Sequence, residues 1–398
     1  MKNEKIDLYN KGLQFPTNYN DTYIATQHIQ KYKLNVDDSI LDKINDRLNS
    51  EDIFFPDKSK LEEIAVGLIK GNIILQGPPG TGKTTIAKII CNSFGVTSEI
   101  ITATADWTTY DTIGGYQPEI ENGNEVIVGK NGKIVDSVLE CCDKVVQNEK
   151  NNTSEEIAHW LIIDELNRSE IDKVFGDLFT AFGSDDPEKR KISLWFHKDE
   201  NKKLLYIPNR FRVIGVINNI DKNFVYNLSQ GLIRRFTFIN IYPPKIEKYD
   251  EEIDHLKNKI LINSIPEKVE QLGEEKIDEN RIKELLQIAE FEEAENKLKK
   301  FLKYVRYEDD NKKYLDLKIG TAQIIDIYET ILINILLKDF EEKSDLIRVI
   351  DSALSSRIVP QMDGHDYELL TNFYQEHFEK NSEFSAYRET KMMIKNLL

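Results

Sequence analysis

Cysteine is nearly missing from this 398-residue chain: only Cys91, Cys141 and Cys142 occur. Two of them are adjacent, inside "DSVLECCDKVV", which reads as a helix. That leaves neither a disulfide framework nor a zinc-ligand spacing. The pattern fits buried or half-buried thiols in a reducing compartment. Histidine is scarce too, with six scattered singly and none paired with a carboxylate at a metal-like spacing. No apolar run approaches the ~20 residues of a membrane span. The opening "MKNEKIDLYNKG" lacks the apolar core of a signal peptide. The expectation is a cytoplasmic protein with no membrane association. Positive charge is also in deficit: 53 Lys and Arg face 69 Asp and Glu, a net charge of −16. Coating duplex nucleic acid needs clustered basic residues, so a broad surface of that kind is excluded, though a local basic loop is not. The acidity itself reads as a solvated, soluble surface.

The composition is that of a globular protein, with 40% apolar and 31% charged residues, and the length suits about two or three domains. Residues 1–55 are polar with scattered aromatics and one short helix, "SILDKINDRL"; they carry no readable function. From 56 to 242 strand and helix alternate. "NIILQ" (72–76), "EIITAT" (99–104), "WLIIDE" from about 160, "FRVIGVIN" and "FTFINIY" read as strands, the first fully apolar. "KTTIAKIICNSF" reads as a helix with Ile86, Ile89 and Ile90 on one face. "SEIDKVFGDLFTAFGS" reads as one continuous helix, with Ile171, Val174, Phe175, Leu178, Phe179 and Phe182 at helical spacing and Ser169 as its N-cap. Such alternation predicts a parallel sheet covered by helices on both faces. Two insertions interrupt it, at 114–136, where Asn-Gly turns suggest a hairpin, and at 191–208. Residues 243–398 predict a separate all-helical domain, including "NRIKELLQIAEFEEAENKLKKFLKYV" and the more buried "TAQIIDIYETILINILL".

"GPPGTGKT" places Gly77, Pro78, Pro79, Gly80, Thr81, Gly82, Lys83 and Thr84 in the pattern G-x-x-x-x-G-K-[ST], followed by Thr85. Its glycines let successive backbone N–H groups converge on phosphate oxygens, and the helix that follows adds its positive end. Lys83 is expected to reach the β- and γ-phosphates and the Thr84 hydroxyl to ligate Mg²⁺. "LIIDELNR" ends an apolar strand in two acids: Asp164 would hold Mg²⁺ through water, and Glu165 would polarise an attacking water. Asn218, closing the strand "FRVIGVIN", is expected to hydrogen-bond that water or the γ-phosphate, a reading its position favours over that of a plain turn residue. Arg234 and Arg235 precede the last strand, where at least one of them is expected at a subunit edge, entering a neighbour's site; a surface ion pair or a cap on a helix C-terminus is the alternative. The bases at the insert tips (Lys130, Lys133, Lys189, Arg190, Lys191, Lys198, Lys202 and Lys203) are interleaved with acids, so pore-lining contacts and plain solvated tips are both open.

"GNIILQGPPGTGKTT", "LIIDELNR", "IGVINNID" and "LIRRF" together resemble the AAA+ ATPases. The two insertions and "DELNR" resemble the branch that holds MoxR-type chaperones, dynein-like AAA modules and the McrB family, the motor subunits of modification-dependent restriction systems. The resemblance to the McrB family is closest. Asn218 and Asp221 match a segment of that family, while Ile217, Asn219, Ile220 and Lys222 depart from it. The resemblance is strong over roughly residues 60–242 and loose over 243–364. It implies a three-layer AAA+ core with a five-stranded parallel sheet in the order 5-1-4-3-2, a helical lid, and ring assembly, usually hexameric, with nucleotide at subunit interfaces. It implies ATP as substrate, with GTP held open, Mg²⁺ as cofactor, and a separate nuclease or adaptor subunit, with DNA passing through the ring as one use. A MoxR-like chaperone and a non-hydrolysing nucleotide switch are the competing expectations. Many AAA+ lids supply a second sensing arginine; the corresponding place here reads "KIGTAQ", with Thr321 and Ala322 and no arginine.

Overall fold

The computed structural model describes residues 27–121, 123–151, 156–176, 178–184, 186–197, 203–218, 230–261, 265, 289–337 and 343–398. They divide into two compact units. One comprises the described residues up to Glu51, with Asp57–Gly77 and Lys83–Ile241; the other comprises Asp52–Pro56, Pro78–Gly82 and the described residues from Tyr242 onwards.

Among the described residues the first unit has nine strands: β1 (Asn72–Gly77), β2 (Thr97–Thr102), β3 (Gly114–Glu121), β4 (Asn124–Asn131), β5 (His159–Asp164), β6 (Lys191–Ser193), β7 (Leu204–Tyr206), β8 (Val213–Asn218) and β9 (Phe236–Asn240). Five of them form one sheet in the order β2-β5-β8-β1-β9, and every neighbouring pair is parallel. Numbered by the parallel strands alone, this is the expected 5-1-4-3-2. The cause is visible in the burial: Ile73, Ile74, Leu75, Leu161, Ile162, Ile163, Val213 and Ile214 are all fully covered. A strand buried on both faces needs helices on both sides of its sheet. Helix α1 (Ile40–Ser50), α2 (Lys58–Lys70), α3 (Lys83–Ser93), the single turn α4 (Thr109–Thr112) and α5 (Lys133–Asn151) belong to this unit. Asp57 caps α2 by accepting from the Ser59 N–H, and Thr108 with Asp111 forms a capping box on α4. Ile86, Ile89 and Ile90 of α3 are buried together as expected.

One expected helix is broken. The segment from Ser169 to Ser184 splits into α6 (Ile171–Phe175) and α7 (Leu178–Phe182), because Gly176 takes φ +44° and turns the chain. Ile171, Val174, Phe175, Leu178 and Phe182 are still buried, so the apolar spacing survives without one continuous helix. Ser169 is not the N-cap: its hydroxyl donates to the Leu166 carbonyl, and Glu170 stands at the cap position. Both insertions are antiparallel hairpins, β3–β4 and β6–β7. The first is shorter than expected, since β4 ends at Asn131 and Lys133 already begins α5. The short helix α8 (Gln230–Ile233) precedes β9.

The second unit is helical: α9 (Tyr249–Lys259), α10 (Ala289–Arg306), α11 (Thr321–Leu337), α12 (Lys343–Arg357), α13 (Tyr367–Tyr374) and α14 (Arg388–Leu397). Helix α10 buries Phe291, Ala294, Leu298, Phe301, Leu302 and Val305 at i, i+3, i+4 intervals, and α11 buries Ile324, Ile327, Tyr328 and Ile331. The expected start of the long amphipathic helix, residues 280–288, lies outside the described residues. Among the described residues no helix is long and apolar enough to cross a membrane. All three cysteines are buried, and burial pushes the thiols of Cys91 and Cys141 up to about 12.

Candidate nucleotide site

Parallel strands bring their carboxyl ends to one edge, and in open α/β sheets ligands bind in the crevice outside that edge. Here β8 lies between β1 and β5, so Asn218, the register partner of Gly77, separates the start of the glycine-rich loop from Asp164. The sheet order thus assembles residues that are far apart in the chain.

The loop itself is shaped by its glycines. Gly80 and Gly82 take φ +75° and +76°, a region that favours glycine. A Cβ on Gly77 would sit 2.0 Å from the Ile241 carbonyl oxygen, so only glycine fits there. The Thr81 hydroxyl donates to the Pro78 carbonyl at 3.0 Å. Pro78 is buried, Pro79 half-buried, and Thr85 stands exposed on the first turn of α3.

Lys83 is only 4% exposed, and its ammonium donates to the Gly77 carbonyl at 3.1 Å. Burial lowers its pKa to about 8, against the pull of the Glu165 and Asp164 carboxylates, which favour the charged form. One residue on, the Thr84 hydroxyl donates to Asp164 Oδ2 at 3.1 Å. A hydroxyl and a carboxylate oxygen in contact are the kind of donors Mg²⁺ takes, with phosphates and water completing its six ligands. Among the described residues no group of three or more His, Cys, Asp or Glu side chains could hold a metal by itself.

Glu165 follows β5 directly, with φ +52°. A left-handed backbone is uncommon for a residue with a Cβ, and such strain collects at functional sites. Both carboxylate oxygens have partners: Asn218 Nδ2 donates to Oε1 at 2.6 Å and Arg168 Nε donates to Oε2 at 3.2 Å. Asn167, buried next to Arg168, donates to the Asn218 carbonyl at 3.3 Å. Arg168 and Asn167 are contacts that motif reading left without a role. The signal was present in "ELNR", which puts the arginine three residues after Glu165 across a single 3₁₀ turn, Leu166–Arg168.

The arginine pair separates. Arg235 is half-buried: its stem lies over Gly183, where a Cβ would meet Arg235 Nε at 2.5 Å, and its guanidinium donates to the Gly231 carbonyl at 2.7 Å. Arg234 is exposed. Asp221 lies outside the described residues, as do Asn219, Ile220, Lys222, Lys198 and Lys202. At the second insert Lys189 pairs with Asp186 at 3.7 Å and Lys191 with Glu188 at 3.4 Å.

Residues 72–236 match the family model described as AAA domain (dynein-related subfamily). A curated relative, the type IV methyl-directed restriction enzyme EcoKMcrB subunit of Escherichia coli K12, is 32% identical over 209 residues. That alignment covers 50% of this chain and 41% of the relative, so the chain matches less than half of that protein's length. A crystal structure of a protein from Cytophaga hutchinsonii aligns over 87% of this chain and 94% of its own at 15% identity, with a TM-score of 0.36. That likeness is too loose to carry weight.

Proposed function

We propose that this chain, whose residues 72–236 form an AAA domain of the dynein-related subfamily similar to that of an McrB subunit, is a motor nucleoside triphosphatase that works as a ring. The observation that carries the reading is Glu165, held by Asn218 and Arg168 at the sheet edge that also bears Lys83, Thr84 and Asp164. The loop from Gly77 to Thr85 would cradle the phosphates with its N–H groups, and Lys83 would bridge the β- and γ-phosphates. Thr84 and Asp164 would hold Mg²⁺, which when bound would offset the negative charge of the phosphates. Glu165 would orient and polarise the attacking water, with Asn218 fixing its carboxylate and Asp221 beside it in the chain. Arg234, the exposed member of its pair, would reach a neighbouring subunit's γ-phosphate, while Arg235 stays packed on its own unit. ATP is the proposed substrate and GTP the competitor, to be separated by competition binding.

Glu165→Gln should leave nucleotide binding within about twofold and lower turnover by about 10²–10³, the scale of a lost general base. Unchanged turnover would remove Glu165 from the mechanism. A protein that stays monomeric with every nucleotide, and whose turnover no neighbouring gene product stimulates, would sink the ring motor.

What the ring acts on has two readings. McrB-like use with a separate nuclease subunit and DNA in the pore follows the similarity to the McrB subunit. A chaperone acting on a protein partner is favoured by the β3–β4 hairpin. Ile120 and Ile127 lie on one of its faces, 81% and 60% exposed, beside exposed Glu119 and Glu125. Apolar and acidic groups suit a protein surface better than a phosphate backbone.

A further inference from the structure

We infer that the turn Gly320–Thr321–Ala322, at the start of α11, sets the shape of the phosphate loop through that loop's backbone. The inference rests on the phosphate-binding reading of the loop. Its first observation is a hydrogen bond: the Ala322 N–H donates to the Gly80 carbonyl at 2.9 Å. A trans peptide is planar, so the Gly80 C=O and the Thr81 N–H point in opposite directions. Tying the carbonyl to α11 therefore turns the Thr81 N–H away from α11. A phosphate loop works by aiming such N–H groups, and one reversed peptide would replace a donor with a carbonyl oxygen that repels phosphate. Gly80 is where a reversal comes easily, because its φ of +75° belongs to a residue with little steric restraint.

The second observation is the closeness of approach. A Cβ on Gly320 would lie 2.4 Å from both the Gly80 carbonyl carbon and the Pro79 oxygen. Backbone meets backbone there, and nothing larger than glycine fits. The third is that the turn is anchored from behind. Thr321 Oγ1 donates to Glu252 Oε1 at 2.6 Å. The same carboxylate takes two bonds from Arg306, at 2.6 and 3.2 Å, and neither side chain of that pair has any exposure. A buried ion pair is costly to desolvate and adds geometric definition only when its lone pairs are satisfied; Thr321 supplies one of the needed donors. Gln323 closes the arrangement: its Oε1 accepts from the Gly320 N–H, and its Nε2 donates to Gln361 at 2.7 Å. Gly320, Thr321, Glu252 and Arg306 are thus positioning residues for the loop.

The test is calorimetric titration of the full chain with Mg·ADP, alongside thermal melting. Gly320→Ala should weaken ADP at least about tenfold, and Thr321→Val, which keeps shape and loses the bond, about tenfold, the scale of a hydrogen bond to a buried charge. Thr321→Ser restores the hydroxyl and should bind like the original chain. Leu370→Ala, in the core of the same helical unit, should lower the melting temperature and leave ADP affinity unchanged. Affinity that follows melting temperature across all four variants would overturn the inference, as would unaltered binding by Gly320→Ala. Failure of the original chain to bind Mg·ADP would overturn the phosphate reading itself.

Discussion

Lys83 is the residue whose chemistry is most sharply set by its surroundings. Its pKa in the free folded protein is about 8, lowered by burial from 10.5. Phosphate oxygens favour the charged ammonium, so a nucleotide bound as proposed would raise that pKa again. Below about pH 8 the lysine would already be charged and affinity at its plateau. Above it, binding must take up a proton, and affinity should fall by up to tenfold per pH unit until the bound pKa is reached. Titrations at pH 7, 8 and 9 in two buffers of different ionisation enthalpy would read both the fall and the proton uptake; pH-independent binding would contradict it. The sign for stability without nucleotide runs the other way. Between about 8 and 10.5 the unfolded chain binds more protons at this lysine than the folded one, so the lysine's contribution favours folding as pH rises.

At the scale of elements, the central strand β8 is where packing and site meet. A Cβ on Gly215 would lie 2.6 Å from Leu166 Cδ2 and 3.1 Å from Ile74 Cγ1. Gly215→Ala should cost about 1–3 kcal/mol, the usual scale of overpacking, read as a lower denaturation midpoint. It should also cost turnover, because Leu166 adjoins Glu165. The strands were legible because a fully buried parallel strand is a short apolar run, and Ile73–Leu75 and Leu161–Ile163 are such runs. The contact of Thr84 with Asp164 was legible because loop pattern and strand end place the two residues at the same sheet edge. Other features were not. The apolar period of 171–182 is the same whether or not Gly176 breaks the helix, since periodicity reports burial and not backbone continuity. The strand order came from resemblance, because pairing between distant segments leaves no local mark. The clasp of Arg168 on Glu165 depends on a left-handed backbone at Glu165 that residue types do not announce.

For the whole molecule, charge and apolar surface both suit a protein surface better than a nucleic-acid backbone. A net charge of −16 repels nucleic acid at long range, and at the second insert Lys189 and Lys191 are paired with acids. The β3–β4 hairpin instead offers exposed Tyr116, Ile120 and Ile127, with exposed Trp195 against Tyr116 at 5.3 Å between ring centroids. Changing Ile120 and Ile127 together to Ser should leave the melting temperature within about 2 °C, since neither is in a core. The same change should reduce stimulation of turnover by a protein partner. Equal stimulation of the double variant would show that the hairpin's apolar face is not where the partner sits.

The interior placement of Cys91, Cys141 and Cys142 has a practical side. Thiolate is the reactive form, and thiols shifted upward by burial hold almost none of it near neutrality. Towards maleimide dyes the native chain should therefore behave as a cysteine-free background. One cysteine introduced at an exposed hairpin position such as Ile120 would carry a single fluorophore without first replacing the natural thiols.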